Sequence, residues 1–211
     1  MKNLFQLILF LILNLPLFAQ VPVYEEPRHK VALQNEYIRL IDVHIPPHDT
    51  TLYHRHSTPS TIVLLSKTIT GSQVMGGEPN TGGTSVPGNT AYIDFGNKPL
   101  SHRVWNEDST TFHVMDIEIF PRDNAVACDR IKEPGFKFEW EQKNVRVYKI
   151  HINAGKNSTL PRSDCPHLLI IISGLLDQLK PGDFKWYPPN ADVEISNTST
   201  GDVECVLLEL K

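Results

Sequence analysis

The residues best suited to chemistry lie in Tyr53-His54-Arg55-His56. Two histidines separated by one residue share a face of a β-strand, because side chains alternate with period two, so both imidazoles can reach one ion. A third histidine follows in Leu100-Ser101-His102-Arg103-Val104-Trp105-Asn106. Neutral imidazole is a borderline ligand that suits zinc, copper, iron and nickel, and three of them on strands leave coordination positions open. Such positions let a metal acidify a water or polarise a substrate oxygen. With no carboxylate among the ligands the site is more cationic, which favours anionic, chelating or enolate-forming molecules. Arg55 and Arg103 alternate away from the ion. No Gly-x-Ser-x-Gly elbow and no Gly-x-x-x-x-Gly-Lys loop occurs, so serine-hydrolase and nucleotide readings have no support.

The elements that must position these histidines read as strands. Short β-branched or apolar runs such as Tyr37 to Val43, Thr61 to Leu65, Ala91 to Phe95 and Phe112 to Ile119 recur between turn residues, punctuated by 16 prolines and 12 glycines. That pattern predicts an all-β sandwich or barrel. The chain also repeats itself. Ile38-Arg39-Leu40-Ile41-Asp42-Val43-His44-Ile45 aligns with Val145-Arg146-Val147-Tyr148-Lys149-Ile150-His151-Ile152 at an offset of 107, which also carries Arg55 onto Arg162 and Pro59 onto Pro166. Further on, the offset is 91, placing Asn106 on Asn197 and Val114-Met115-Asp116-Ile117-Glu118-Ile119 on Cys205-Val206-Leu207-Leu208-Glu209-Leu210. Two copies of one β unit follow. The difference, 107 − 91 = 16 residues, is extra chain in copy one, most of it within the glycine-rich stretch Gly71 to Gly88. It is expected as a mobile loop or loose hairpin, either a solvated insertion or a lid over a pocket.

The repeat also sorts the other histidines. His44 has a counterpart in His151 and reads as a repeated structural residue; His48 falls in a turn and maps onto Gly155; His113 maps onto Glu204, a solvent-compatible position. His29, near the start of the copy, is expected to be exposed. Arg55 and Arg162 suggest a repeated salt bridge or cap, and Asn106 and Asn197 a turn function. At the positions of the three candidate ligands, copy two has Pro161, Ser163 and Val193, so no site is expected there.

On these motifs the sequence resembles the cupin superfamily of small jelly-roll β-barrels, and the duplication resembles a bicupin. Cupins carry His-x-His, then a Glu and a Gly, and a second motif ending His-x-x-x-Asn. His54-Arg55-His56 and His102-Arg103-Val104-Trp105-Asn106 match, and the strand pattern extends the resemblance over nearly the whole chain beyond its first residues. Where the family places its Glu, this chain has Ser60 or Thr61, and where it places the Gly, Lys67 or Thr68; His167 occupies the Glu position in copy two. The resemblance therefore implies two tandem jelly-roll barrels, with a divalent ion (Fe, Zn, Ni, Mn or Cu) on His54, His56 and His102, as in three-histidine dioxygenases. It implies an oxidoreductase or isomerase acting on a small oxygen-rich molecule, or a non-catalytic protein that binds a small molecule or metal in the pocket, or a structural duplicate. Catalytic side chains are not assigned, although Tyr53, Tyr92 and Asp94 are near in sequence to the motifs.

Lys2 followed by the apolar stretch Leu4 to Leu13 and by Ala19-Gln20 reads as a signal peptide, which implies a periplasmic or secreted protein with no stable membrane span after cleavage. The expected division is signal peptide 1–19, first cupin-like domain 20–120, linker 121–135 and second domain 136–211. A formal charge of −4 argues against a nucleic-acid partner; a small-molecule ligand is expected, and a homodimer through an outer strand is left open. Of three cysteines, Cys165 and Cys205 lie in the same half and are the expected pair if any forms, with two buried thiols as the alternative.

Overall fold

The computed structural model describes residues 20–122 and 126–211. The expected signal peptide at 1–19 lies outside the described residues, as do residues 123–125 of the connection. Copy one contains β1 (Val21–Pro22), a 3-10 turn at Val23–Glu25, β2 (His29–Gln34), β3 (Ile38–Ile45), β4 (His54–His56), β5 (Ser60–Leu64), β6 (Ile69–Val74), β7 (Pro79–Thr84), β8 (Thr90–Ile93), β9 (Leu100–Asn106) and β10 (Phe112–Ile119). Copy two contains β11 (Phe136–Gln142), β12 (Val145–Ile152), β13 (Asn157–Leu160), β14 (His167–Ser173), β15 (Phe184–Tyr187), β16 (Val193–Ser196) and β17 (Val203–Leu210). No helix among the described residues is long and apolar enough to cross a membrane.

Copy one folds as two five-stranded sheets, β1-β4-β9-β6-β7 and β2-β3-β10-β5-β8. Copy two reproduces the second of these as β11-β12-β17-β14-β15 and reduces the first to the pair β13-β16. The result is a tandem jelly roll. Strand registers match the sequence repeat residue for residue: Arg39 lies opposite Glu118 in copy one, and Arg146 opposite Glu209 in copy two. Both pairs are ion pairs, Arg39 Nη1 to Glu118 Oε2 at 2.6 Å and Arg146 Nη1 to Glu209 Oε1 at 2.5 Å, with all four side chains largely buried. Pairing offsets the cost of desolvating each charge, which neither could bear alone.

Alternation along these strands builds the interior. On β3, Ile41, Val43 and Ile45 point into the first barrel, while Ile38 and Leu40 point the other way and meet copy two. The seam between the copies is a continuous apolar core containing Ile38, Leu40, Met115 and Ile117 from copy one and Val147, Leu168, Ile170 and Leu208 from copy two. Fully burying each such side chain contributes roughly 1.5–3 kcal/mol before the entropy of ordering is subtracted. A separate cluster fills the second barrel: Tyr148, Ile150, Leu169, Ile171, Val193, Ile195 and Leu207 are all buried within it.

The extra chain of copy one is an ordered hairpin. β6 pairs with β7 on one side and with β9 on the other, so the stretch expected as a mobile loop or loose hairpin is a paired hairpin within the barrel wall. Gly71 permits this, because a Cβ there would lie 2.1 Å from the Trp105 ring. In copy two a short turn bridged between Leu176 and Leu179 stands where the hairpin would be.

The cysteine expectation is corrected: the disulfide joins Cys128 to Cys165, with Cα atoms 6.2 Å apart, and Cys205 is free. The reason is alternation. Cys205 points into the packed second barrel, where burial pushes its thiol up to about 12, whereas Cys165 lies in the loop before β14, beside the connection that carries Cys128.

Candidate metal centre

β4 carries His54 and His56 and pairs antiparallel with β9, placing His54 directly opposite His102. Arg55 between them is exposed, as alternation requires. His54 is 1% exposed and His56 5%. One nitrogen from each of the three imidazoles lies within 4.8 Å of the others, and His56 Nε2 to His102 Nε2 is 3.1 Å. Two nitrogens bound at about 2.0–2.1 Å to one tetrahedral ion would be about 3.3 Å apart, so the His56–His102 pair is already at coordination spacing.

The protonation states favour ligation. His54 Nδ1 lies 2.9 Å from the Leu52 carbonyl oxygen; with the proton on Nδ1 donated there, Nε2 is left with its lone pair. Burial, reinforced by the neighbouring His29 and His102, pushes the His54 pKa down to about 2. Burial and then His56 push His102 down to about 4. Both rings are therefore neutral at physiological pH, the form a metal requires.

The histidines lie in a cavity of about 370 Å³ whose other walls are mostly apolar, including Ile45, Ile62, Phe112 and Val114, with β6 and β7 contributing Gly71, Ser72, Asn80 and Gly83. Phe95 stacks on His56 with ring centroids 4.5 Å apart. A larger cleft of about 900 Å³ beside the connection is lined by opposed charges such as Arg130, Glu133, Arg162 and Asp164 and contains no histidine; ligand chemistry belongs to the smaller cavity.

Two cavity residues escape sequence reasoning. Asp116 on β10 is 3% exposed, and neither carboxylate oxygen has a hydrogen-bond partner. Its Oδ2 lies 3.2 Å from His56 Nδ1, close enough for attraction but off the line of a hydrogen bond, so Nδ1 is likewise unpartnered. The available sign was an inward-facing acid in the apolar series Phe112-Val114-Asp116 that copy two replaces with Leu207. The second residue is His29, expected to be exposed. Its side chain is 5% exposed, sits edge-on to His54 at 4.7 Å between centroids, and has Nδ1 2.7 Å from the Val23 carbonyl oxygen. The turn at Val23–Glu25 folds back over β2 and covers it, which local sequence does not reveal.

The remaining residues near the motifs serve elsewhere. The Tyr53 hydroxyl donates to Gln73, as does Arg103; Tyr92 packs against the seam; Asp94 accepts from Asn97. None of them lines the cavity. His48 and Gly155 share a positive φ of 59° and 67°, so this pair marks a matching left-handed turn. Asn106 Nδ2 donates to the carbonyls of Ile45 and Thr110, and Asn197 Nδ2 to those of Ile152 and Gly201, the turn function expected of them. Arg162 approaches Asp192 at 3.8 Å between two exposed side chains, a contact worth little.

Copy two shows the same architecture with the chemistry removed. The counterparts of His29, His54, His56, His102 and Asp116 are Phe136, Pro161, Ser163, Val193 and Leu207. His167, at the position of the family's Glu, is buried with Nε2 3.4 Å from Glu209 Oε2.

The donor set of copy one fits a divalent ion: three converging imidazoles, one anchored by a backbone carbonyl, and beside His56 a buried carboxylate without a partner among the described residues.

No protein-family model matches the chain, and no curated protein matches its sequence. Solved structures do match its shape. AerE from Microcystis aeruginosa superposes with a TM-score of 0.57 at 13% identity, over 88% of this chain and 98% of that one. The cupin 2 conserved barrel domain protein from Leptotrichia buccalis gives 0.51 at 12%, over 85% and 86%. Salicylate 1,2-dioxygenase from Pseudoaminobacter salicylatoxidans, solved as adducts with gentisate, gives 0.57 at 11%, over 82% and 68%. At these identities the likeness establishes architecture: this chain has the duplicated cupin fold.

Proposed function

We propose that the protein is an exported cupin enzyme, with domains over 20–120 and 136–211, that holds one divalent ion on His54, His56 and His102 and acts on a small oxygen-rich molecule by dioxygenase-like or isomerase-like chemistry. One observation carries the reading: three imidazoles converge in a cavity of about 370 Å³ in copy one, while copy two fills the same space with apolar side chains. A bound ion would supply Lewis acidity and open positions for substrate oxygens. The chain itself supplies the rest. Val114, Phe112 and Phe95 offer an apolar, water-excluding surface to a ring or short carbon skeleton, and Asp116 orients His56. The cavity volume lies at the small end of the range for ligand sites. The gentisate adduct of the structural neighbour supports a hydroxylated aromatic acid as the first substrate class to try. Export is supported by the apolar stretch after Lys2 and agrees with the disulfide.

The test measures bound metal in the purified protein and in His54→Ala and His102→Ala. It then follows oxygen uptake by the iron-loaded protein with diketones, flavonols and catechol-like acids. More metal in the wild type than in either variant, with uptake on one class, supports the proposal; equal metal in all three proteins ends it. A second reading, a non-catalytic binding protein, is favoured by one observation: besides the histidines, Asp116 is the sole ionisable side chain among the described residues that line the cavity. Saturable binding without turnover would select it.

A further inference from the structure

The sheet that walls the cavity carries a second set of ligand-type side chains on its opposite face. Along β10, Phe112, Val114 and Asp116 face the cavity, so His113 and Met115 face the seam between the copies. In the β3–β10 register His113 lies opposite His44, and Met115 opposite Asp42. His113 Nε2 is 2.7 Å from Asp42 Oδ1, and His44 Nε2 is 3.1 Å from Asp42 Oδ2. The two rings stack at 3.9 Å between centroids, 24° from parallel, and both Nε2 atoms face the one Asp42 carboxylate. Ligand atoms of all three residues lie within 4.8 Å of one another.

Two surroundings make this more than a chance surface pair. Copy two seats its backbone on the His113 ring: a Cβ on Gly182 would be 2.6 Å from His113 Cε1. Ser66 Oγ accepts the His113 backbone N–H at 2.8 Å. His113 is thus held from both sides, while the His44 side chain is 49% exposed and leaves an approach from solvent. The repeat does not explain the set. The counterparts in copy two are Lys149, His151 and Glu204; Lys149 pairs with Glu139, and His151 lies near Asn153 and Asp202. The expectation that His44 is a repeated structural residue, and that His113 marks a solvent-compatible position, leaves the convergence in copy one unaccounted for.

We propose that Asp42, His44 and His113 form a second divalent-metal site, of the zinc class, at the seam between the copies and distinct from the cavity. Two imidazoles and one carboxylate are a common zinc donor set, with solvent completing a tetrahedron. An ion there would link β3 to β10 and fix His113 against Gly182, so its effect would be on stability.

The test is Zn²⁺ titration followed by calorimetry and native mass spectrometry on the wild type, His44→Ala, Asp42→Asn, His102→Ala and the His44→Ala/His102→Ala double variant. Circular dichroism checks folding, which the exposed His44 and the isosteric Asn should preserve. The expected stoichiometries are two ions for the wild type, one for each single variant and none for the double. The zinc-induced rise in Tm should persist in part in His102→Ala and vanish in the double variant. One ion in the wild type that His44→Ala retains, or two in both, overturns the second site. One ion that persists in His102→Ala but is lost in His44→Ala upholds it and defeats the cavity site instead.

Discussion

Replacing Asp116 by Leu, the residue copy two has at this place, should stabilise the metal-free protein while weakening its metal binding. Asp116 is 3% exposed with both oxygens unpartnered, and an unsatisfied buried polar group costs about 1–3 kcal/mol. Leucine removes that cost and adds apolar contact with Val43 and Val114, in a cavity of about 370 Å³ that has room for it. Lost attraction between Asp116 and His56 at 3.2 Å works against the gain. A net gain of about 2 kcal/mol should raise Tm by about 4–8 °C in a chain of this size. Without the carboxylate beside Nδ1, His56 loses orientation and basicity, and partners of this kind are worth about 10–100-fold in metal affinity. Thermal melts in chelator and zinc competition titrations read the two effects separately. Asp116→Asn, which keeps a carbonyl oxygen near Nδ1, should lose less affinity than Asp116→Leu. A lower Tm with unchanged affinity in Asp116→Leu would refute the reasoning, because Asp116 would then be supporting the fold rather than the ligand.

Three further outcomes follow from the buried histidines and the cysteines. In the metal-free protein His54 and His102 stay neutral down to about 2 and about 4, whereas the unfolded chain protonates them near 6.5. Their contribution is therefore fully present above pH 6.5 and is lost as pH falls, by about 1.4 kcal/mol per unit for each ring. Melts between pH 7 and 4.5 should show this slope and a shallower one in His102→Asn; a flat profile would contradict the buried, neutral assignment. The Cys128–Cys165 bond closes a sequence separation of 37 residues, for which loop-closure entropy predicts about 4 kcal/mol. Cys165→Ser should accordingly lower Tm by about 8–16 °C, while Cys205 should resist alkylation at pH 8 until the protein unfolds. Mass spectrometry that finds Cys205 modified in the native state would contradict its place inside the second barrel.

The strands, the duplication and the three-histidine set were legible because each rests on a short period. His54 and His56 alternate onto one face, and offsets of 107 and 91 carry Arg39 onto Arg146 and Glu118 onto Glu209, residues that the two registers then pair within each copy. What escaped depended on contacts between distant segments. His29 is buried by the turn at Val23–Glu25, Cys165 meets a connection whose path composition does not encode, and the Gly71 to Gly88 stretch is ordered by edge pairing with β9. Its glycines, read as signs of mobility, include one that the Trp105 ring requires. Asp116 lay between these cases. The repeat aligns it with Leu207, so the change of polarity is written in the sequence, but only the fold shows that this position faces the histidines.

That difference in polarity explains why one chain keeps two barrels. A cavity bearing three imidazoles and a carboxylate gives up the apolar contacts that would otherwise fill it, and its polar groups are poorly satisfied without a ligand. The second barrel has the opposite composition: Tyr148, Leu169, Ile171, Val193 and Leu207 occupy the equivalent space. The seam joins the two through β3 and β10, whose outward residues Leu40, Met115 and Ile117 pack on Val147, Leu168 and Leu208. Copy two thereby packs on the back of the very sheet that carries Asp116. A substitution at the seam, such as Met115→Ala, should therefore loosen the cavity without touching it, and the removal of Asp116 should not loosen the seam.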